Sequence, residues 1–267
     1  MILWRSIKKR LKKLSYAIYE KRLERQTNQW QIPYHIGIIL DGNRRYARQS
    51  GLENVIQGHH EGADKLEEVL HWCDELGVKI VSIWIFSLDN FKREETEVTG
   101  ILDVIEKKMR DLVTIKGLHT NQIKVRAMGE IELLPLSLQE AIRAAENVTK
   151  DYDKFILNVA VAYGGREEIV EAFRKHLRTE ETSGKTFYEI TDELSVDKIT
   201  PHLYTSDLPD PDLIIRTSGE VRLGGFLLWQ SAYSEFYFCD TYWPSFRKID
   251  FLRAIRDYNF RQRRFGR

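Results

Sequence analysis

The chain has 267 residues, 42% of them hydrophobic and 30% charged, with a formal net charge of +1. Those values suit one sizeable α/β domain and argue against a globally basic nucleic-acid binder. The two cysteines, Cys73 and Cys239, lie outside any metal-binding spacing and read as free thiols; no apolar run approaches the roughly 20 residues that span a bilayer, and no signal-peptide core is visible.

The charge is unevenly placed. Residues 1–25 carry nine Lys or Arg and two Glu, a balance of +7, so the remainder sums to −6. On a helix, Trp4, Ile7, Leu11, Leu14 and Ile18 share one face, and Arg5, Lys8, Lys9, Lys12 and Lys13 fill the rest. That pattern favours a helix lying on an anionic membrane surface, although it also suits a helix packed on its own domain or on a partner. Residues 1–26 are therefore read as a basic amphipathic arm, with a linker from Gln26 to Pro33 and a main domain over 27–267.

Ile36 to Leu40 is nearly all apolar, which predicts a strand buried on both faces. It runs into Asp41-Gly42-Asn43, followed by Arg44, Arg45 and Arg48 at the start of a helix. A carboxylate beside arginines at the end of a parallel strand suits a Mg²⁺-bound phosphate; the same residues also make ordinary turn and cap chemistry. Leu52 to Gln57 has no period and reads as a loop. His59 and His60 are adjacent and cannot share a helical face, which disfavours a zinc pair, while one of them can hydrogen-bond a phosphate or move a proton. Leu66, Val69, Leu70, Cys73 and Leu76 mark a helix ended by Gly77.

Val78 to Phe86 predicts a second buried strand ending in the polar run Ser87-Leu88-Asp89-Asn90-Phe91-Lys92-Arg93. Residues 98–113 form an amphipathic helix, 123–128 a third strand, 136–149 a helix and 155–162 a fourth strand, after which Tyr163-Gly164-Gly165-Arg166 turns into a helix to about Leu177. Residues 178–206 are polar and turn-rich. Leu213 to Ile215 is a short strand leading to Arg216-Thr217-Ser218-Gly219-Glu220-Val221-Arg222, a third polar cluster past a strand end. Phe226 to Tyr233 reads as a buried helix and Glu235 to Asp240 as the last strand. The tail from Arg247 alternates aromatic and basic residues; its end, Arg264-Phe265-Gly266, is either disordered or a source of charge and amides for a neighbouring subunit. Alternating strands and helices predict one α/β domain with a central, mostly parallel six-stranded sheet flanked by helices. The site is expected along one sheet edge, where the three clusters meet.

With those clusters in order, the chain from about residue 34 onward resembles the cis-prenyltransferase family. The matching pieces are His35 to Arg45, Gly58-His59 to Gly62, Phe86 to Arg93 with Glu97, Asn158 to Arg166, and Asp212 to Phe238. The resemblance implies an enzyme that repeatedly condenses isopentenyl diphosphate onto an allylic diphosphate, with a hydrophobic tunnel between sheet and helices for the growing chain. It implies Mg²⁺ at Asp41, with Glu235 completing the coordination. Gly42, Asn43, Arg45 and His59 would bind the allylic diphosphate. Ser87, Asn90 and Arg93 would position the reacting ends, with Phe91 where the family usually has tryptophan, and Arg216 and Arg222 would bind isopentenyl diphosphate. It further implies a homodimer whose Arg264-Phe265-Gly266 reaches the neighbouring site, while the basic arm and the free thiols lead to the expectation of a cytoplasmic protein held peripherally on the membrane.

There are departures: Val221 and Gly224 replace a histidine and a serine of the family's bacterial members, and Ile85 occupies a strand position that is small in them. Trans-prenyltransferases use paired Asp-Asp-x-x-Asp motifs, and this chain has no Asp-Asp pair. The competing class is a non-catalytic, membrane-associated scaffold subunit of a heteromeric enzyme. Its sign would be loss of the Asp-Gly-Asn-x-Arg cluster, which is intact here.

Overall fold

The computed structural model describes residues 15–114 and 119–261. Six strands make one sheet in the order β3-β4-β2-β1-β5-β6: β1 (His35–Ile39), β2 (Ile80–Ser87), β3 (Ile123–Met128), β4 (Phe155–Tyr163), β5 (Leu213–Arg216) and β6 (Glu235–Phe238). Every pairing is parallel, so the "mostly parallel" expectation sharpens to an all-parallel sheet. The strand sequences account for this: β1 is buried at all five positions and β4 at eight of nine, as strands covered on both faces require.

The helices are α1 (15–26), α2 (Asn43–Gln49), α3 (Val55–Leu76), α4 (Glu95–Thr114), α5 (Leu136–Thr149), α6 (Gly165–Thr182), α7 (Phe187–Asp192), α8 (Val196–Ile199) and α9 (Lys248–Phe260). Val69 and Cys73 from α3, Ile101 and Ile105 from α4, and Leu138 and Ile142 from α5 form the main core with Ile83, Leu157 and Val159 of the sheet. A smaller core holds Ile39, Tyr163, Ile214, Phe226 and Leu227. A buried polar chain fixes the three central strands. His35 Nδ1 lies 2.7 Å from the Pro209 carbonyl, its Nε2 lies 2.8 Å from Ser82 Oγ, and Asn158 Nδ2 donates to that hydroxyl at 2.9 Å. A carbonyl only accepts, so Nδ1 carries the proton and Nε2 accepts from Ser82.

Several expectations change. α3 begins at Val55, capped by Asn54 Oδ1 accepting from Gln57 N at 3.0 Å, where the sequence predicts a loop to Gln57. Residues 226–233 form consecutive turns, not a helix. Gly224 and Gly225 enter them at positive φ, and Leu227 N donates to the Tyr163 hydroxyl at 3.1 Å. The polar stretch 178–206 holds the end of α6 and the short helices α7 and α8.

The tail from Arg247 is the helix α9, with Phe251, Ala254, Ile255 and Tyr258 buried on one face at helical spacing. The end of the arm is not free either. Leu23 of α1 is buried against Ile249 and Leu252 of α9, and Lys248 pairs with Glu24 at 2.9 Å. The apolar face at 4–14 and the tail Arg264-Phe265-Gly266 lie outside the described residues.

Candidate active site

The carboxyl ends of β1, β2 and β5 carry the three polar clusters to one cleft of about 700 Å³. At the end of β1 the carbonyl of Asp41 is gripped twice: Thr217 Oγ1 donates to it at 2.7 Å, and Trp243 N donates to it at 3.0 Å. Gly42 follows at φ 107, where a Cβ would collide with Tyr242, and this turn aims the Asp41 side chain into the cleft. Arg216 Nη2, from the end of β5, donates to Asp41 Oδ2 at 2.9 Å, and Arg45 Nη2 stands 3.5 Å from Oδ1.

The arginines are braced from behind. Arg216 is only 6% exposed, and its Nη1 donates to the Arg222 carbonyl at 2.6 Å. Arg45 donates to Ser218 Oγ at 2.6 Å and to Glu220 at 3.1 Å. Glu97 pairs with Arg93 at 2.9 Å and Arg44 at 3.3 Å. Arg44, Arg45, Arg48, Arg93, Arg216 and Arg222 line the cleft with Asp41 and Asp89, and even with Glu97 and Glu220 counted behind them the arginines outnumber the carboxylates, a surplus that suits an anion. Its polar atoms are also waiting: Asn43 Oδ1, His59 Nε2, Trp84 Nε1 and Arg216 Nε are buried without a hydrogen-bond partner. Buried polar atoms rarely stay so unless a ligand or water completes them.

His59 sits where the cleft meets a second, apolar cavity, and it lines both together with Leu40, Asn43 and Ile85. Burial first, then the positive charges of Arg93 and Arg44, push its pKa down to about 4. The ring is therefore neutral at physiological pH. The apolar cavity lies between α3, α4 and the sheet, lined by Leu66, Leu70, Ile83, Ile101, Ile105 and Met109.

Of the residues singled out in the sequence, Asp41, Gly42, Asn43, Arg45, His59, Ser87, Asn90, Arg93, Arg216 and Arg222 line the cleft. Asn90 Oδ1 accepts from Ser87 N at 3.0 Å, which ties the two together at the end of β2. Two residues depart. Phe91 packs edge-on against Phe86, with ring centroids 4.9 Å apart at 82°, and is not part of the cleft lining. Glu235 opens β6 at the opposite end of the sheet, level through Leu213 with Ile36. At about 3.3 Å per strand residue that puts it roughly 16 Å short of Asp41. It pairs with Arg261 at 2.9 Å, so within one chain it shares no metal centre with Asp41. One cleft residue has almost no mark in the sequence. Trp84 lines the cleft and stacks on Phe226 at 5.6 Å, and its single signal is a place near the end of β2.

Among the described residues no group of three or more His, Cys, Asp and Glu is placed to hold a metal. Asp41, the cleft carboxylate held by Arg216 and Arg45, still fits Mg²⁺, which binds through one or two carboxylates and completes its shell with substrate phosphates and water.

An α/β protein whose arginine-lined cleft, suited to an anion, opens onto an apolar cavity is the class these features define. The model of the undecaprenyl diphosphate synthase family matches residues 39–266. The chain is 50% identical over 250 residues to an isoprenyl transferase of Deinococcus radiodurans, covering 93% of this chain and 91% of that protein. It is also 50% identical over 251 residues to a (2Z,6E)-farnesyl diphosphate synthase of Thermobifida fusca, covering 94% and 96%. A crystal structure of lavandulyl diphosphate synthase from Lavandula x intermedia in complex with dimethylallyl diphosphate superposes with a TM-score of 0.80 at 36% identity, over 88% of this chain and 99% of that one. The chain belongs to the cis-prenyltransferase family.

Proposed function

We propose that this enzyme extends an allylic diphosphate with isopentenyl diphosphate, forming a cis double bond at each addition and a cis-polyprenyl diphosphate as product. The observation that carries the reading is the continuity of two opposite environments. An arginine-lined cleft around Asp41 meets an apolar cavity at Asn43 and His59, which border both. That junction suits a molecule with an anionic head and an apolar chain. The intact Asp41, Asn43 and Arg45, all facing the cleft, favour catalysis over a scaffold role.

In this reading Asn43, Arg45 and neutral His59, with the backbone at Gly42, hold the allylic diphosphate so that its chain enters the apolar channel. Arg216 and Arg222 hold isopentenyl diphosphate. Ser87, Asn90 and Arg93 orient the reacting carbons between them. The allylic C–O bond breaks, and the diphosphate leaves with the bonding electrons. Guanidinium groups already in place meet that growing charge, so they stabilise the transition state more than the bound substrate. The isopentenyl double bond supplies the electrons of the new C–C bond, and transfer of a proton from the condensed cation to the departed diphosphate then creates the cis double bond. Mg²⁺ held by Asp41 and the diphosphate oxygens would further neutralise the leaving group.

We infer, too, a homodimer in which Arg264-Phe265-Gly266 serves the neighbouring site, and a cytoplasmic enzyme attached peripherally to anionic membrane by the arm. The charge of +7 over residues 1–25 supports the latter. Among the described residues no helix is long and apolar enough to cross a membrane. Labelled isopentenyl diphosphate, Mg²⁺ and allylic primers of several lengths, incubated with the purified chain, test the reading. Labelled cis-polyprenyl products are expected, and the absence of condensation with every primer would refute it.

A further inference from the structure

The apolar cavity is about 100 Å³, against roughly 300–1,000 Å³ for ordinary small-molecule pockets. A chain that gains five carbons per cycle must therefore widen it, and the walls are unequal. The sheet side is β2 and β4, at the centre of the sheet. One flank of α4 is fastened to α5: Ser137 Oγ donates to Glu106 at 2.6 Å, and Arg110 donates to the Ser137 carbonyl at 3.2 Å. The other flank meets α3. The two helices touch near their starts, where a Cβ on Gly100 would stand 2.7 Å from Ile56 Cδ1.

Eight residues further along each helix, or about 12 Å at 1.5 Å per residue, the same seam is crossed by Lys108. Its Nζ lies 2.7 Å from Asp64 Oδ1 and 3.0 Å from Glu67 Oε1. Among the described residues these are the ion pairs that join α3 to α4. Lys108 and Glu67 are also the charged groups bordering a cavity otherwise walled almost wholly by apolar side chains.

We propose that Lys108, by pairing with Asp64 and Glu67 across the α3–α4 seam, is a latch that sets the length of prenyl chain the enzyme releases. The inference rests on the prenyl-transfer reading and adds to it a specificity determinant away from the diphosphate cleft. Each further addition competes with product release, and the latch taxes addition because the longer chain has to part α3 from α4. Lys108 is 29% exposed and its partners more so, which makes the restraint modest. Removing a pair of this kind changes an equilibrium about two- to fivefold.

The test compares the 267-residue chain with its Lys108→Met and Lys108→Arg variants, using labelled isopentenyl diphosphate and one short allylic primer, and sizes the products. For Lys108→Met the ratio of each longer product to the one before it rises about two- to fivefold. Lys108→Arg, which keeps the charge, restores the wild-type distribution. High salt shifts the wild type toward longer products and leaves Lys108→Met where it is. An unchanged or shortened distribution in Lys108→Met overturns the latch while leaving prenyl transfer intact. A wild-type enzyme that makes no condensation product removes the underlying reading and the latch with it.

Discussion

Arg216 spans two anchors with one planar group: Nη2 on Asp41 and Nη1 on the Arg222 carbonyl, with Nε buried and unpartnered beside them. A lysine ammonium cannot reproduce that fork. Arg216→Lys is therefore expected to lower kcat/KM for isopentenyl diphosphate roughly 10- to 100-fold, the range for losing one charge-assisted bond, and steady-state kinetics measure it. Two buried histidines give a second prediction. Burial lowers the pKa of His35 to about 4, as it does for His59, whereas an unfolded histidine titrates near 6.5. Between those values the unfolded chain binds more protons, so stability present above about pH 6.5 is lost as the pH falls toward 4. Urea midpoints at pH 7.5, 6 and 5 should fall in that order, and a flat series would contradict it. Asp41, Asn43 and Arg45 are legible in the sequence because turn, carboxylate and guanidinium chemistry is local to one strand end. Glu235 and Phe91 lie away from the cleft lining of their own chain, because family resemblance assigns roles without stating which end of a strand, or which side of a turn, a residue occupies here.

At the scale of elements, Ile85 borders both the cleft and the apolar cavity from β2. Ile85→Ala should lengthen the products, and an unchanged length distribution would remove Ile85 from any part in setting it. Buried strands of the parallel sheet are readable because a short, continuous apolar run between turn residues fits a strand covered on both faces and little else. The turns at 226–233 are not, because aromatic content signals burial but not backbone geometry. What decides that segment is distant: Tyr163 holds Leu227 N, and Glu168 of α6 accepts from Gln230 Nε2 at 2.9 Å. α9 is hidden for the opposite reason, since its basic residues mask the spacing of Phe251, Ala254, Ile255 and Tyr258.

Over the whole molecule, the described part of the N-terminal segment packs on the last helix. Leu23 is 2% exposed in a contact with α9, so Leu23→Ala is expected to cost about 2–4 kcal/mol of stability, read from chemical denaturation. Deleting residues 1–14 spares that contact. The truncated enzyme should keep its turnover of a short soluble primer while losing binding to anionic liposomes, and equal liposome binding would refute membrane attachment through the arm. The most direct measurement concerns the cleft itself, where one carboxylate and the arginines around it are asked to drive ionisation. Condensation rates of the wild type and Asp41→Ala, with the fold of each checked by circular dichroism, decide it. The account predicts a loss of at least about a hundredfold in a variant that remains folded; a folded variant with near wild-type turnover would contradict it.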